Sequence, residues 1–162
     1  MSLATDSIFV TALQSNSDLM ATLGYVAPTL TDKGKPARLY GTAIPLPDED
    51  LDNVPVPYVI VTFDGLNNDA GTKDDRYESE YDRVNIGIDV VGKTLEDLHE
   101  LTQAVRDTVL GYFRANHTNV IDYTFTADAI QYDSLKPCYW QTLRYQCEVY
   151  NLDDNDDEQE RN

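Results

Sequence analysis

The chain has 162 residues, 41% of them hydrophobic, and sets 29 acidic against 12 basic side chains for a net charge of −17. That length and apolar content suit one domain with its own core and exclude wholesale disorder. The charge opposes contact with nucleic-acid phosphates and anionic lipid, which excludes an ordinary DNA-, RNA- or membrane-binding module.

Helix is expected over about Leu3–Leu23, where Ile8, Phe9 and Leu13 and then Leu19, Met20 and Leu23 are apolar. Ser15-Asn16-Ser17-Asp18 interrupts them as a capping or turn signal, giving two short helices or one broken one. Gly24 is placed to end the run. Tyr25–Pro57 holds six of the seven prolines. A short strand, Ala37–Ile44, is expected inside it, and Asp48-Glu49-Asp50 with Asp52 reads as a surface loop. An excursion of this kind is expected to be a contact arm.

Pro57–Phe63 is nearly continuous in apolar residues and predicts a well-covered strand. Asp64–Asp82 carries loop chemistry in Gly65, Asn67-Asn68, Asp69 and Gly71. Val84, Ile86, Ile88 and Val90 then alternate with Asn85, Gly87 and Asp89, so the two strands predict an extended hairpin with its tip at Asn67–Asp75. Gly92 closes the second strand, and Thr94-Leu95-Glu96-Asp97 has the form of a capping box. Leu95, Leu98, Leu101, Val105, Val109, Tyr112 and Phe113 recur at steps of three and four, predicting a long helix over Leu95–Ala115 with a single apolar stripe on the sheet.

Asn116-His117-Thr118-Asn119 ends that helix. Ile121, Tyr123, Phe125 and Ala127 alternate in a strand that continues toward Tyr132, and Asp133–Pro137 turns. In the last strand Leu143, Tyr145, Cys147 and Val149 face inward while Thr142, Arg144, Gln146 and Glu148 face out. The polar end of the chain, Asn151–Asn162, is expected to be disordered alone in water. From Asp153 it holds six acids and one arginine, a net of −5, so the rest of the chain still carries −12. The fold class expected is α+β: a mostly antiparallel sheet of about four to five strands packed against one long helix and a short N-terminal helical segment. Its single domain spans residues 1–151, and residues 152–162 form an acidic tail.

No chemistry is legible beside this plan. His99 and His117 lack a partner at metal-ligand or catalytic spacing. Asp64, Asp69, Asp74 and Asp75 lie in a hairpin loop without the ligand pattern of a calcium loop. Gly65, Gly71, Gly87 and Gly92 stand singly, and neither Gly-x-Ser-x-Gly nor Ser-x-x-Lys occurs. The expectation is therefore no catalytic residue, no metal and no cofactor. Cys138 and Cys147 are spaced as neither a redox pair nor a zinc knuckle, and Cys147 reads as a core residue. No apolar run approaches bilayer length, and the N-terminus lacks a signal peptide's basic start and apolar stretch, so assembly in a cytoplasm is expected. Tyr58, Tyr112, Tyr123 and Tyr145 are placed on core faces, and Tyr40, Tyr77, Tyr81, Tyr132 and Tyr150 on strand ends or outward faces. The candidate contact residues are Tyr40, Asn67, Asn68, Asp69, Lys73, Asp74, Asp75, Tyr77 and Tyr81, at the hairpin tip and on outward aromatics.

The order of elements resembles the tail-completion or tail-terminator (head–tail joining) proteins of long-tailed bacteriophages. The likeness is carried by Met1-Ser2-Leu3, Leu13-Gln14-Ser15, Leu19, Leu23-Gly24, Arg38-Leu39-Tyr40, Val56–Val61 and Arg83–Val90. It continues through Leu95-Glu96-Asp97-Leu98, Leu101, Ala104-Val105-Arg106 and Tyr145–Tyr150, and so covers most of residues 1–151. The resemblance implies a non-enzymatic virion protein that forms a ring, typically hexameric, capping the tail tube and joining it to neck or connector proteins. DNA would pass through the lumen without specific binding, and an acidic lumen would keep it from adhering. The Tyr25–Pro57 excursion and the acidic tail are longer than that plan, which leaves a neck position open. The alternative is an acidic decoy that imitates DNA or adapts to a basic partner, although the acids here are dispersed through loops, helix and tail.

Overall fold

A computed structural model describes residues 2–24, 37–41, 55–68 and 79–150. After a 3-10 turn at Ser2–Ala4 come α1 (Thr5–Gln14), α2 (Ser17–Thr22), β1 (Leu39–Gly41), β2 (Tyr58–Asn67) and β3 (Tyr81–Gly92). Then follow α3 (Leu95–Ala115), β4 (Val120–Ala127), β5 (Gln131–Asp133) and β6 (Cys138–Tyr150). The fold is α+β. One six-stranded sheet runs β1-β2-β3-β6-β4, with β5 also on β6. β1 joins β2 in parallel, and every other pairing is antiparallel.

The N-terminal polar cluster makes two helices. Asn16 caps α2, its side-chain oxygen accepting from the N–H groups of Asp18 and Leu19, both at 3.1 Å. Its amide donates to Thr108 Oγ1 at 2.8 Å, which ties α2 to α3. Gly24 takes φ +86° where the chain leaves α2, a conformation that an L side chain resists. α3 has the predicted bounds, and Thr94 Oγ1 accepts from the Asp97 N–H at 3.1 Å. Gly92 lets β3 pass directly under that helix: a Cβ there would sit 2.9 Å from the Leu98 nitrogen.

All three helices lie on one face of the sheet. Leu98, Leu101, Val105 and Val109 of α3 pack with Phe9 and Leu13 of α1 onto Val59, Val61, Val84, Ile86, Ile88 and Val90 and the inward residues of β6. Leu143, Tyr145, Cys147 and Val149 are all buried, as their alternation predicts. Burial of this kind stabilises by roughly 1.5–3 kcal/mol per large apolar side chain. Tyr145 is the aromatic hub, with ring centroids 5.1 Å from Phe9, 5.1 Å from Tyr123 and 5.2 Å from Phe125.

Four expectations need correction. Leu95 is 43% exposed: as the first residue of α3 it points back past the sheet, off the buried stripe. Ile121 is 56% exposed because a register shift between Val120 and Asp122 gives β4 an extra residue, leaving Val120, Tyr123 and Phe125 packed against the core and Ala127 exposed at the strand's end. Tyr58 pairs with Val91 on the face away from the helices, since Val59 and Val61 are the buried residues of β2. The single strand expected over 121–132 is broken into β4 and β5. At the break Asp128 donates its N–H to Thr142 O at 2.9 Å, and its carboxylate turns to Arg144. The strand expected over Ala37–Ile44 is seen as β1. Its remainder, most of the proline-rich excursion, the hairpin tip and the acidic tail lie outside the described residues.

Candidate assembly surface

The sheet's other face carries no helix among the described residues. Register places on it Tyr58, Ile60 and Thr62 of β2, the odd-numbered residues from Tyr81 to Val91 of β3, and the even-numbered residues from Cys138 to Tyr150 of β6. One end is aromatic and apolar. Tyr58, Val91 and Trp140 lie side by side there, Tyr40 packs on Tyr58 with centroids 6.4 Å apart, and the Lys136 ammonium stands 5.6 Å from the Tyr58 ring. Burial, with Cys138 and Asp89 nearby, pushes the Tyr58 phenol up.

Toward the other end the face turns polar and acidic. Thr142 donates to Asp89 Oδ1 at 2.6 Å, and Thr62 donates to Asp64 Oδ1 at 2.9 Å. Arg144 Nε reaches both Asp128 oxygens at 3.0 and 2.9 Å, and its Nη2 lies 2.8 Å from Oδ2. That hydrogen bonding to Asp128 raises the Arg144 pKa. Two open depressions of about 370 and 360 Å³ flank the Gln146 position, one lined by Asp64, Thr126 and Arg144, the other by Arg83, Asp122 and Glu148. Asp64, Asp89, Asp122, Asp128 and Glu148 outnumber Arg83 and Arg144 here. No group of His, Cys, Asp or Glu among the described residues is placed to hold a metal ion. Both cysteines are free and buried, and desolvation pushes the Cys147 thiol up to about 12. No helix of the described chain is long and apolar enough to cross a membrane.

The structure divides the predicted contact residues. Asn67 ends β2 opposite Arg83. Asn68 clamps the base of the hairpin: its amide donates to Ser79 O at 2.8 Å and to Asp82 Oδ1 at 2.7 Å, and its carbonyl accepts from the Ser79 N–H at 2.7 Å. Tyr81 is 41% exposed and stacks on Tyr150 at 5.6 Å. These three lie together. Tyr40 does not join them, because its level on the sheet is that of Asp89, about 26 Å along β3 from Tyr81. Asp69, Lys73, Asp74, Asp75 and Tyr77 lie outside the described residues.

Sequence reasoning recognised the β5–β6 turn and placed Tyr132 outward, but it did not single out Leu135 as exposed. Leu135 is 96% exposed at its tip, and Tyr132 is 56% exposed beside it. The signal was present: a leucine inside a turn already recognised from Asp133 and Pro137 has no strand face to pack against.

No family model matches the sequence, and no curated protein sequence does. Among solved structures the chain is similar in fold to one from a virion of a native gene transfer agent particle, with a TM-score of 0.53. The match covers 89% of this chain and 92% of that one at 14% identity. A crystal structure from Akkermansia muciniphila matches over 56% of this chain and 43% of that one at 12% identity, with a TM-score of 0.28, too slight to indicate a shared fold.

Proposed function

We propose that this chain is a structural, non-enzymatic protein of a phage-like particle. In this reading it forms a ring that terminates the tail tube and joins it to the neck. The observation that carries the reading is the fold shared, over nearly the full length of both chains, with a chain of the gene transfer agent virion. The bare sheet face supports the finer part. A wide, hydrogen-bonded, net-acidic face is what a channel wall needs if DNA is to slide past without adhering. The ring's neighbours would be the tube protein on one side and connector proteins on the other, engaged by the hairpin tip near Tyr81 and by the proline-rich arm.

Affinity purification of tagged full-length protein from particle-producing cells, with partners identified by mass spectrometry, tests this reading. Recovery of tube and connector proteins is the expected result. Recovery of a basic nucleic-acid-binding protein without particle components would replace it with the DNA-mimic reading. The contact role of the hairpin is tested by deleting residues 70–77, which spares the Asn68 clamp. The expected result is unchanged melting with loss of incorporation into particles; global unfolding would contradict it.

A further inference from the structure

The sheet has two edges as well as two faces. In the order β1-β2-β3-β6-β4, the outer sides of β1 and β4 pair with no strand among the described residues. β4 is the longer edge, reading Val-Ile-Asp-Tyr-Thr-Phe-Thr-Ala. Its bulge lies at the first residues, and the remainder is β-branched or aromatic up to Ala127, with none of the lysines or prolines that blunt an exposed edge. The Asp128 N–H bonds Thr142 O, so Thr124 and Thr126 turn their backbone groups to β6 while Tyr123, Phe125 and Ala127 turn theirs outward. Asp122 Oδ1 accepts from the Tyr123 N–H at 2.8 Å and so closes that end of the edge, leaving Phe125 and Ala127 as its open part. On β1, Arg38 O accepts from the Val59 N–H at 3.0 Å, so Tyr40 serves β2 while Leu39 and Gly41 face outward.

The geometry points to pairing of β4 of one copy with β1 of the next, so that the sheet runs on from copy to copy. The directions agree. β1 is parallel to β2 and every later step across the sheet is antiparallel, so β4 runs opposite to β1. Copies related by rotation about an axis along the strands therefore meet antiparallel. The faces agree too: Leu39 and Phe125 pack on the core side, whereas Tyr40 and Thr126 lie on the bare side. Gly41 shares one row with Val61, Ile88, Leu143 and Ala127. A shift of two residues from that row sets Leu39 opposite Ala127, Tyr40 opposite Thr126 and Gly41 opposite Phe125. Both outward residues of β1 then find partners, and a stagger of this kind is what a sheet needs to close on itself. The Phe125 side chain falls beside Gly41, where a Cβ would meet open space. Such a contact is heterologous, keeps every bare face on the same side, and closes into a ring when its rotation allows. The inference rests on the ring reading and assigns it an interface.

Two single-cysteine additions test the contact directly, because Cys138 and Cys147 are buried and give little background. Full-length Tyr40→Cys and Thr126→Cys proteins are oxidised separately and as a mixture. In this register the two positions form a pair without hydrogen bonds, about 4.5 Å apart at Cα and within disulfide reach. A crosslinked dimer in the mixture, absent from either variant alone, is the expected result. In parallel, Ala127→Pro removes an outward N–H from an exposed residue at the strand's end. Melting should hold, and self-association in sedimentation should weaken at least about tenfold. If Ala127→Pro melts early, the crosslink alone decides. A wild type that assembles without the mixed crosslink forming, or a folded Ala127→Pro that assembles as well as wild type, overturns this contact while the ring stands. A crosslink within the Thr126→Cys sample alone overturns it in favour of two-fold β4–β4 pairing. If the wild-type chain never self-associates, alone or with purified tail tubes, the ring reading fails and the contact with it.

Discussion

The two faces of the sheet are built from the same strands, residue by residue in alternation, yet they obey different rules. On the helical face, Val84, Ile86, Ile88 and Val90 meet Leu143, Tyr145, Cys147 and Val149 under α1 and α3, and all are buried. On the other face, their immediate neighbours Asn85, Gly87 and Asp89 meet Thr142, Arg144 and Gln146, held by hydrogen bonds at the surface. The first face accounts for folding. The second carries no cover among the described residues, and changing it costs little of the core. Charge does not separate them: α2 and α3 present Asp18, Glu96, Asp97, Glu100 and Asp107 on the helical side as well. What separates them is cover.

Substitutions should sort by face. The largest effect is expected from Val105→Asp, which places an unpaired carboxylate in the fully buried stripe of α3. A loss of about 4 kcal/mol or more, enough to unfold the chain, should appear in denaturant titration. Wild-type melting would show that α3 is turned the other way.

The next effect is alkaline. Burial holds the Cys147 thiol at about 12 against an ordinary 9.0, and holds the Tyr145 phenol above its ordinary 10.0. Both pKa values are raised in the folded state, so their stabilisation is fully present below pH 9 and is lost as pH rises toward 12. Between those limits the unfolded chain gives up the thiol proton first. Stability should therefore fall by about 1.4 kcal/mol per pH unit for the thiol alone. Cys147→Ala should flatten that slope, and the check is urea unfolding from pH 8 to about pH 11.

A smaller effect sharpens the contrast inside the core. The Tyr145 hydroxyl is buried and has no hydrogen-bond partner among the described residues. Tyr145→Phe keeps the ring contacts with Phe9, Tyr123 and Phe125, so it should be neutral or stabilise by up to about 1 kcal/mol. A clear loss would mean that the hydroxyl has a partner. The smallest effect belongs to the other face. Arg144→Ala breaks an ion pair whose side chains are 56% and 37% exposed, so melting should barely move and should lose any salt dependence the pair supplied.

The sequence was most informative where one physical rule governed a whole element. α3 was legible from its stripe and its cap at Thr94, and β6 from strict alternation. The failures come where a local feature changes phase. A bulge at Ile121 reverses alternation without any proline or glycine to announce it, and the break at Asp128 depends on a partner, Arg144, distant in sequence. Tyr58 was misplaced because a run of apolar residues hides which alternate set is inward. Of the residues expected at contacts, Asn67, Asn68 and Tyr81 lie together at the base of the hairpin, whereas the exposure of Leu135 is a property of the folded chain. Asn68 shows the reverse case: a residue chosen for contact whose hydrogen bonds close the hairpin.

The central claim is that the helical face makes the fold and the bare face lines a channel. The most direct measurement is an electron cryomicroscopy reconstruction of particles containing this chain. The account predicts a closed ring at the end of the tail tube, with Asn85, Asp89, Thr142 and Gln146 facing the lumen. A reconstruction in which that face is covered by another protein, or in which the chain is absent from the particle, would contradict it.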